Sequence, residues 1–248
     1  MSTLHPPVRA PLVEVCVDSA AGLAAAIAGG ADRIELCSAL AVGGLTPTAG
    51  LMALAAQSPV PVYAMVRPHP GDFVFTAADV DAMRHDIDTV RALGLAGVVL
   101  GANLADGQLD GATLHTLRQH AQGLGATLHR AFDMVPHIAD AVEMAVQLRF
   151  ERILSSGRAA TALAGLPDLA LTCQAAAGRI SVMPGSGVRP DNVASLRAAL
   201  PDVYEVHGAC TLAAPYVHQR AIDLGFCQPL MRHTSAHEVR AMKAAVLT

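Results

Sequence analysis

Short apolar segments alternate with longer segments of helical pattern along this chain. The first unit, residues 12–37, predicts a strand (LVEVCV), an Ala-rich helix over residues 19–29 with Asp18 or Ser19 as N-cap, and a second strand (RIELC). Six further strands are predicted at residues 61–66, 97–100, 126–133 (with the strand's exit), 152–154, 179–183 and 203–206. Eight strands that alternate with helices predict a parallel sheet.

Capping residues place helices between these strands. Thr46 is the predicted N-cap of a helix that carries Pro47 in its first turn and ends near residue 57, and Thr76 is the predicted cap of a helix through residue 93. Further helices are predicted at about residues 111–122, 138–148, 159–176 and 190–199. Ser235 and Glu238 form a capping-box pattern, which predicts a last helix after the eighth strand.

The fold class predicted from this order is α/β, as a single (β/α)8 TIM barrel with a C-terminal extension. The chain has 248 residues, and about 250 residues is typical of such a barrel. An open doubly wound sheet is the alternative, but no G-x-G-x-x-G follows the first strand. We therefore expect one domain over residues 1–248, with the barrel at about 12–210 and a C-terminal tail and helix at 211–248.

Composition excludes several classes of partner. The formal net charge is −4, without the basic patch that nucleic acid binding requires. No run of eighteen apolar residues predicts a membrane span, and the N-terminal segment lacks the apolar core of a secretory signal. The five cysteines have no close pairing, which favours reduced thiols in the cytoplasm over a disulfide framework.

The distribution of lysine excludes one large class of barrel chemistry. Lys243 is the single lysine of the sequence, and it lies in the predicted last helix. No strand can therefore supply the lysine that Schiff-base aldolases and pyridoxal phosphate (PLP) enzymes use. We expect no PLP, and without the glycine fingerprint we expect no NAD.

Polar side chains repeat in phase near the ends of the first two strands. Glu14 and Cys16 share one face of the first strand, and Glu35 and Cys37 share one face of the second. A carboxylate inside a buried strand is unfavourable without a partner, so the pattern indicates the polar mouth of a barrel. Barrel active sites lie at the C-terminal ends of strands, where the candidate catalytic residues are Glu14, Glu35, Arg67, His129, Asp133, Glu205 and His207.

This set of carboxylates and imidazoles suits acid–base chemistry on a small anionic or phosphorylated metabolite. One group can act as general base and another as general acid, while the Arg67 guanidinium binds a carboxylate or phosphate through bidentate hydrogen bonds. Arg130 is a second candidate for anion binding, although its phase places it opposite His129. The alternative interpretation of each single residue is a structural ion pair inside the barrel.

Glycine-containing turns follow the sixth and seventh strands and predict an anion site. Backbone N–H groups at such turns, with a helix N-terminus predicted at Pro190, can bind phosphate. The candidate ligand-binding residues are Ser156, Gly157, Gly185, Ser186 and Gly187. The alternative is that these glycines only make tight turns.

Cys16 and Cys37 form the candidate metal site. Adjacent strands lie about 4.8 Å apart, so two inward thiols near strand ends can approach each other, and soft thiolates suit Cu(I). The alternative is that both are ordinary buried cysteines. A zinc site is less favoured because no C-x2-C cluster occurs.

Several motifs, taken together, resemble those of the CutC copper-homeostasis family. They cover about residues 13–208 and are EVCVDS, GADRIELC, GGLTP, RP-x-x-GDF, HRAFD, SSG, MPGSGV and EVH. The resemblance implies a cytoplasmic TIM barrel that forms a homo-oligomer, a dimer or tetramer. It also implies Cu(I) binding at the positions that are Cys16 and Cys37 here.

Two functional hypotheses follow. The first, which the resemblance favours, is a copper-homeostasis protein that binds Cu(I) at strand-end cysteines. The second is an enzyme of isomerase- or lyase-like acid–base chemistry acting on a small anionic metabolite, so the question of catalysis stays open at this point. Buried charges argue against a third, a barrel kept only for protein interaction, because they cost stability without return. Both leading hypotheses require Glu14, Glu35, His129 and Glu205 to converge inside the barrel.

Overall fold

A computed structural model describes residues 10–215 and 218–247, and its central feature is a barrel of eight parallel strands. The strands are β1 (Leu12–Val17), β2 (Arg33–Leu36), β3 (Val62–Met65), β4 (Gly97–Leu100), β5 (Gly125–Leu128), β6 (Arg152–Ser155), β7 (Ser181–Pro184) and β8 (Glu205–Gly208). Strand order follows chain order, and β1 pairs with both β2 and β8. With β7 packed beside β8, the sheet is a nearly closed (β/α)8 barrel, which confirms the predicted fold class.

Helices surround the strands. They are α1 (Ala20–Gly29), α2 (Ala49–Ala55), α3 (Ala77–Ala92), α4 (Gly111–His120), α5 (Ile138–Gln147), α6 (Leu166–Ala176), α7 (Val193–Ala199), α8 (Gln219–Asp223) and α9 (Ala236–Ala245). Ser19 caps α1 through Gly22 N, and Thr76 forms a capping box with Asp79 at the start of α3. None of the helices in the described ranges is long and apolar enough to cross a membrane.

The chain returns to the barrel through a segment that the sequence did not predict. After β8 it forms an antiparallel hairpin of β9 (Thr211–Pro215) and β10 (Leu230–Thr234), with α8 between the two strands. The predicted last helix, α9, then packs against α1, α7 and β1, and so takes the place of the eighth barrel helix. Ser235 is its N-cap residue, but its side chain makes no capping hydrogen bond.

Three predicted helix starts were wrong, by between two and seven residues. The second helix begins after Thr48, whose side chain accepts from Leu51 N, because Thr46 is instead bonded through its hydroxyl to the backbone of Arg67. The sixth helix begins at Leu166, and the chain before it forms turns. The seventh begins at Val193 and not at Pro190.

The strands are buried on both faces, and the two faces differ in chemistry. On β1, Val13, Val15 and Val17 face the helices and join the main apolar core, whereas Glu14 and Cys16 face the barrel interior. The interior is accordingly a polar layer surrounded by an apolar shell. That layer holds the candidate functional residues.

Candidate functional site

The lower part of the barrel interior is a network of buried ion pairs. Arg33 binds Glu14 and, at 2.5 Å, Glu205, while Arg152 binds Glu205 at 3.1 Å and Thr127 at 2.9 Å. Register explains the contacts, because Glu14 of β1 lies opposite Arg33 of β2. Each charge is compensated, so this network is structural in character.

Titration of the two carboxylates follows from this network. Burial alone raises the pKa of Glu14, but Arg33 and His207 outweigh burial and hold that pKa at about 2. Burial is likewise outweighed at Glu205, whose pKa is lowered by Arg33 and Arg152. Both carboxylates are therefore charged at neutral pH, and neither lines the cavity described below.

His207 connects the ion pairs to the upper part of the interior. Its Nδ1 lies 2.8 Å from Glu14 Oε1, and its Nε2 lies 3.7 Å from Glu35 Oε2. Burial opposes the charged form, but Cys16, Glu35 and Glu14 raise the pKa of His207 well above its usual value. Glu14 thus fixes the orientation of the imidazole from below.

Glu35 and Cys37 contact each other next to His207. The Cys37 thiol lies 3.5 Å from Glu35 Oε2, and Glu35 Oε1 is buried with no hydrogen-bond partner. Burial raises the pKa of Glu35, and burial together with the nearby Glu35 charge raises the pKa of Cys37 well above the usual thiol range. The Cys37 thiol is accordingly a hydrogen-bond donor at neutral pH.

Three side chains form a cluster of metal-ligand type. Among the described residues, Cys16, Glu35 and His207 each place one ligand atom within 4.8 Å of the other two. Cys16 lies opposite Glu35 in the β1–β2 register, which brings the two side chains together. Cys37 does not belong to this cluster and does not line the cavity.

A cavity of about 410 Å³ opens at the carboxyl ends of the strands. This volume is within the range of small-molecule sites. Its six ionisable lining residues come from five different strands or the loops that follow them. They are Cys16, Glu35, Arg67, His129, Arg130 and His207.

Arg67 forms one wall of the cavity. Its Nη1 donates to the carbonyls of Val42 and Gly44, at 2.9 and 3.0 Å, and its Nη2 donates to Gly71 O at 2.8 Å. The guanidinium also packs on the ring of Phe73, 4.9 Å from its centroid. Burial lowers the pKa of Arg67, and its Nε is buried without a partner.

His129 stands beside Arg67 on the same wall. The backbone N–H of Ala131 donates to His129 Nδ1 at 3.1 Å, while Nε2 has no partner. Burial first, and then the charge of Arg67, lowers the pKa of His129 to about 3. The imidazole is therefore neutral, and because Nδ1 accepts a hydrogen bond, its proton is assigned to Nε2. Gly101 is needed here, since a Cβ at that position would lie 2.5 Å from His129 Nδ1.

The turn after β6 already holds an anion, the carboxylate of Asp133. Asp133 accepts from Ser155 Oγ at 2.6 Å, from Ser156 N at 3.1 Å and from Arg158 N at 3.2 Å, and it pairs with Arg130 at 2.7 Å. Gly157 N donates to Ser155 Oγ. The amides proposed for an external phosphate thus have internal partners.

The turn after β7 contributes less than the sequence suggested. Ser186 lines the cavity in a left-handed conformation (φ 71°), but its hydroxyl donates to Ala160 O, and Gly185 N donates to Ser155 O. Gly187 is also left-handed (φ 73°). The following helix begins at Val193 and has seven residues, so the helix N-terminus expected at Pro190 is absent there.

Most of the predicted site residues therefore fall into three groups, whereas Cys37 lies against Glu35 without lining the cavity. Cys16, Glu35, Arg67, His129, Ser186 and His207 line one cavity. Glu14 and Glu205 lie in the ion-pair network, and Asp133 binds the turn after β6. Sequence reasoning missed the partners Arg33 and Arg152, although Arg33 shares the inward phase of Glu35 and could have been found from it.

A nearly closed ring of eight parallel strands, with a cavity lined by ionisable residues at the carboxyl ends of those strands, defines a (β/α)8 barrel protein. The CutC family model matches residues 11–212. The chain belongs to the CutC family.

Individual relatives agree with this assignment. A family protein CutC from Rhizobium meliloti (strain 1021) is 56% identical over 232 residues, which cover 94% of each chain. Its counterpart in Caulobacter vibrioides (strain NA1000 / CB15N) is 53% identical over 239 residues, covering 94% of this chain and 97% of the relative.

Solved structures give the same result for the fold. A CutC protein from Streptococcus agalactiae, named for copper homeostasis, is 29% identical with a TM-score of 0.76. The match covers 80% of this chain and 98% of the Streptococcus agalactiae chain. An N-(5'-phosphoribosyl)anthranilate isomerase from Pyrococcus furiosus is 11% identical with a TM-score of 0.59. The match covers 95% of this chain and 98% of the isomerase. The second likeness shows the barrel fold alone.

Proposed function

We propose that this protein acts in copper homeostasis by binding one Cu(I) ion as cargo at Cys16 and His207. The observation that carries the proposal is the cluster of Cys16, His207 and Glu35, whose ligand atoms lie within 4.8 Å of one another. A thiolate and an imidazole are donors that suit Cu(I). The copper-homeostasis role attached to the Streptococcus agalactiae relative supports the choice of metal.

The environment of His207 supports its use as a ligand. Metal-binding histidines commonly have one ring nitrogen held by a carboxylate, which fixes the orientation of the other. Glu14 holds Nδ1 of His207 at 2.8 Å, so Nε2 can bind the metal once the metal displaces the proton that the raised pKa keeps on the ring. Glu14 itself is kept charged by Arg33.

The pair Cys16 and Cys37, predicted from strand phase, stays a prediction, with Cys37 as the alternative second ligand. Its thiol lies against Glu35, outside the cluster but beside it. The two arrangements make different predictions for a Cys37 variant, which the following experiment uses.

Anaerobic competition with bicinchoninate, read by absorbance, tests the proposal. We expect the wild type to bind one Cu(I) per chain. We expect Cys16→Ser and His207→Asn each to weaken Cu(I) binding at least tenfold. Cys173→Ser is the matched control, because Cys173 is a half-buried thiol on α6 away from the cavity. Cys37→Ser with unchanged affinity favours the Cys16–His207 site, whereas a loss equal to that of Cys16→Ser favours the cysteine pair. Unchanged affinity in Cys16→Ser contradicts both.

A second candidate is an enzyme that moves protons within a small anionic metabolite, as an isomerase or lyase does. The observation that favours it is the cavity of about 410 Å³, far larger than a bare ion requires, with the unpartnered atoms Glu35 Oε1 and His129 Nε2 among its lining residues. A thermal-shift panel of small anions tests it. Stabilisation by one anion, lost in Arg67→Lys, supports it, and no stabilisation by any anion contradicts it.

A further inference from the structure

Arg67 is a buried cation that its surroundings do not neutralise. The residue is 4% exposed, and among the described residues no carboxylate contributes to its electrostatic environment. Three of the five guanidinium N–H groups donate to the carbonyls of Val42, Gly44 and Gly71, which leaves two, including Nε–H. A buried charge without a counter-ion is unfavourable, so an anion at this wall would stabilise it.

His129 adds a third donor at the same wall. Its Nδ1 is occupied by the amide of Ala131, and its Nε2–H has no partner although the residue is 3% exposed. The Phe73 ring contacts both residues, at 4.9 Å from the Arg67 guanidinium and 4.8 Å from the imidazole centroid. One aromatic side chain thus positions the cation and the neutral donor together.

We infer that Arg67 and His129 form a subsite for the carboxylate of a small organic acid within the cavity. The fork of a guanidinium matches a carboxylate geometrically, and the neutral imidazole donor supplies a further hydrogen bond. The rest of the cavity, lined by Met65 and Leu154 among others, has room for a short carbon chain.

The available donors favour a carboxylate over a phosphate. A phosphate group carries three terminal oxygens and close to two charges, and barrels bind it with backbone amides after their last strands. The amides of Ser156 and Arg158 are taken by Asp133, and Gly157 N by Ser155. The wall therefore offers one cation and three free N–H groups. A single carboxylate can neutralise this cation and accept hydrogen bonds from these N–H groups.

The inference deepens the second candidate function, on which it rests, by naming the chemical class of its ligand. It does not depend on copper, because neither Arg67 nor His129 belongs to the metal-ligand cluster. Binding can also be measured without turnover. Failure of the subsite is therefore distinguishable from failure of either proposed function.

Isothermal titration of the metal-free, reduced protein with oxalate and, separately, with inorganic phosphate tests the subsite. We expect oxalate to bind one per chain and at least tenfold more tightly than phosphate. Arg67→Lys, which keeps the charge but removes the fork, weakens oxalate binding at least tenfold. His129→Asn keeps an acceptor for the Ala131 amide but removes the Nε2 donor, and it weakens oxalate binding severalfold.

Arg118→Met is a matched control. Arg118 also donates to backbone carbonyls, at Leu148 and Arg149, and packs on Phe150 at 5.4 Å, but it does not line the cavity. Its variant binds oxalate as the wild type does, and so does Cys173→Ser, whose thiol on α6 does not line the cavity. Equal or tighter binding of phosphate, no binding of oxalate by the wild type, or unchanged binding in both Arg67→Lys and His129→Asn overturns the inference.

Discussion

Glu14 and His207 are bonded across the β1–β8 junction, with His207 Nδ1 2.8 Å from Glu14 Oε1. Glu14 also binds Arg33 below, and the other ring nitrogen of His207 faces Glu35 above. This contact therefore joins the structural ion pairs of the lower barrel to the cavity at its mouth. A change in either part is expected to alter the other.

Replacing Arg33 by Met is expected to destabilise the barrel strongly. Glu14 and Glu205 would lose the cation that both contact, and breaking a buried pair costs about 3–5 kcal/mol. Urea unfolding followed by circular dichroism measures the loss. Arg179→Met is the control, because Arg179 pairs with Glu143 at the surface and its loss is expected to be much smaller. Equal effects of the two variants would contradict the structural role given to Arg33.

Asp133→Ala is expected to destabilise the turn after β6 and to be partly rescued by acetate. The variant leaves the amides of Ser156 and Arg158 and the Ser155 hydroxyl without their acceptor, at a cost of about 3 kcal/mol or more. Acetate can occupy the vacated position, so it should raise the Tm of the variant and not that of the wild type.

The matched control for that rescue is Asp168→Ala. Asp168 makes an ion pair with Arg158 at 2.8 Å in a more exposed place, so no enclosed anion position is created. An acetate effect of the same size in both variants would show that the rescue is a general salt effect.

Gly101→Ala tests the position of His129 without changing the imidazole itself. The new Cβ would meet His129 Nδ1 at 2.5 Å and Ala131 Cβ at 2.8 Å, and such overpacking costs about 1–3 kcal/mol. We expect a lower free energy of unfolding and displaced imidazole nitrogen signals by NMR. Gly50→Ala is the control, since its Cβ meets nothing closer than Thr48 Oγ1 at 4.0 Å. Unshifted signals in Gly101→Ala would contradict the close contact.

Strand phase was enough to predict which residues face the barrel interior. Glu14, Cys16, Glu35 and His207 alternate with apolar residues in short strands, and the structure places all four inside. Phase does not predict pairing across the barrel. Arg33 and Glu205 are 172 positions apart in the chain, so their contact depends on the closed order of the strands.

Other features left no pattern that local reasoning could use. The β9–β10 hairpin is largely exposed, so its strands lack the buried alternation that marks a strand in the sequence. The prediction of an anion site after β6 did not include Asp133, whose carboxylate approaches this turn from the preceding βα unit. Glycine turns indicate where an anion can sit but not whether the protein supplies it.

Acid titration gives the last prediction, through His129. Its folded-state pKa of about 3 lies below the ordinary value of 6.5, because burial and Arg67 disfavour the charged form. Above pH 6.5 the imidazole is neutral in both states and adds nothing to the pH dependence. As pH falls from 6.5, the unfolded chain binds a proton that the folded protein does not, so the free energy of unfolding decreases by up to about 1.4 kcal/mol per pH unit. His207, whose folded pKa is raised, is protonated in both states below pH 6.5, so it adds nothing to the slope in that range, and it is present in wild type and variant alike. Urea unfolding between pH 6.5 and 4.5 should therefore show a steeper loss for the wild type than for His129→Asn, and parallel curves would mean that His129 is protonated in the folded protein.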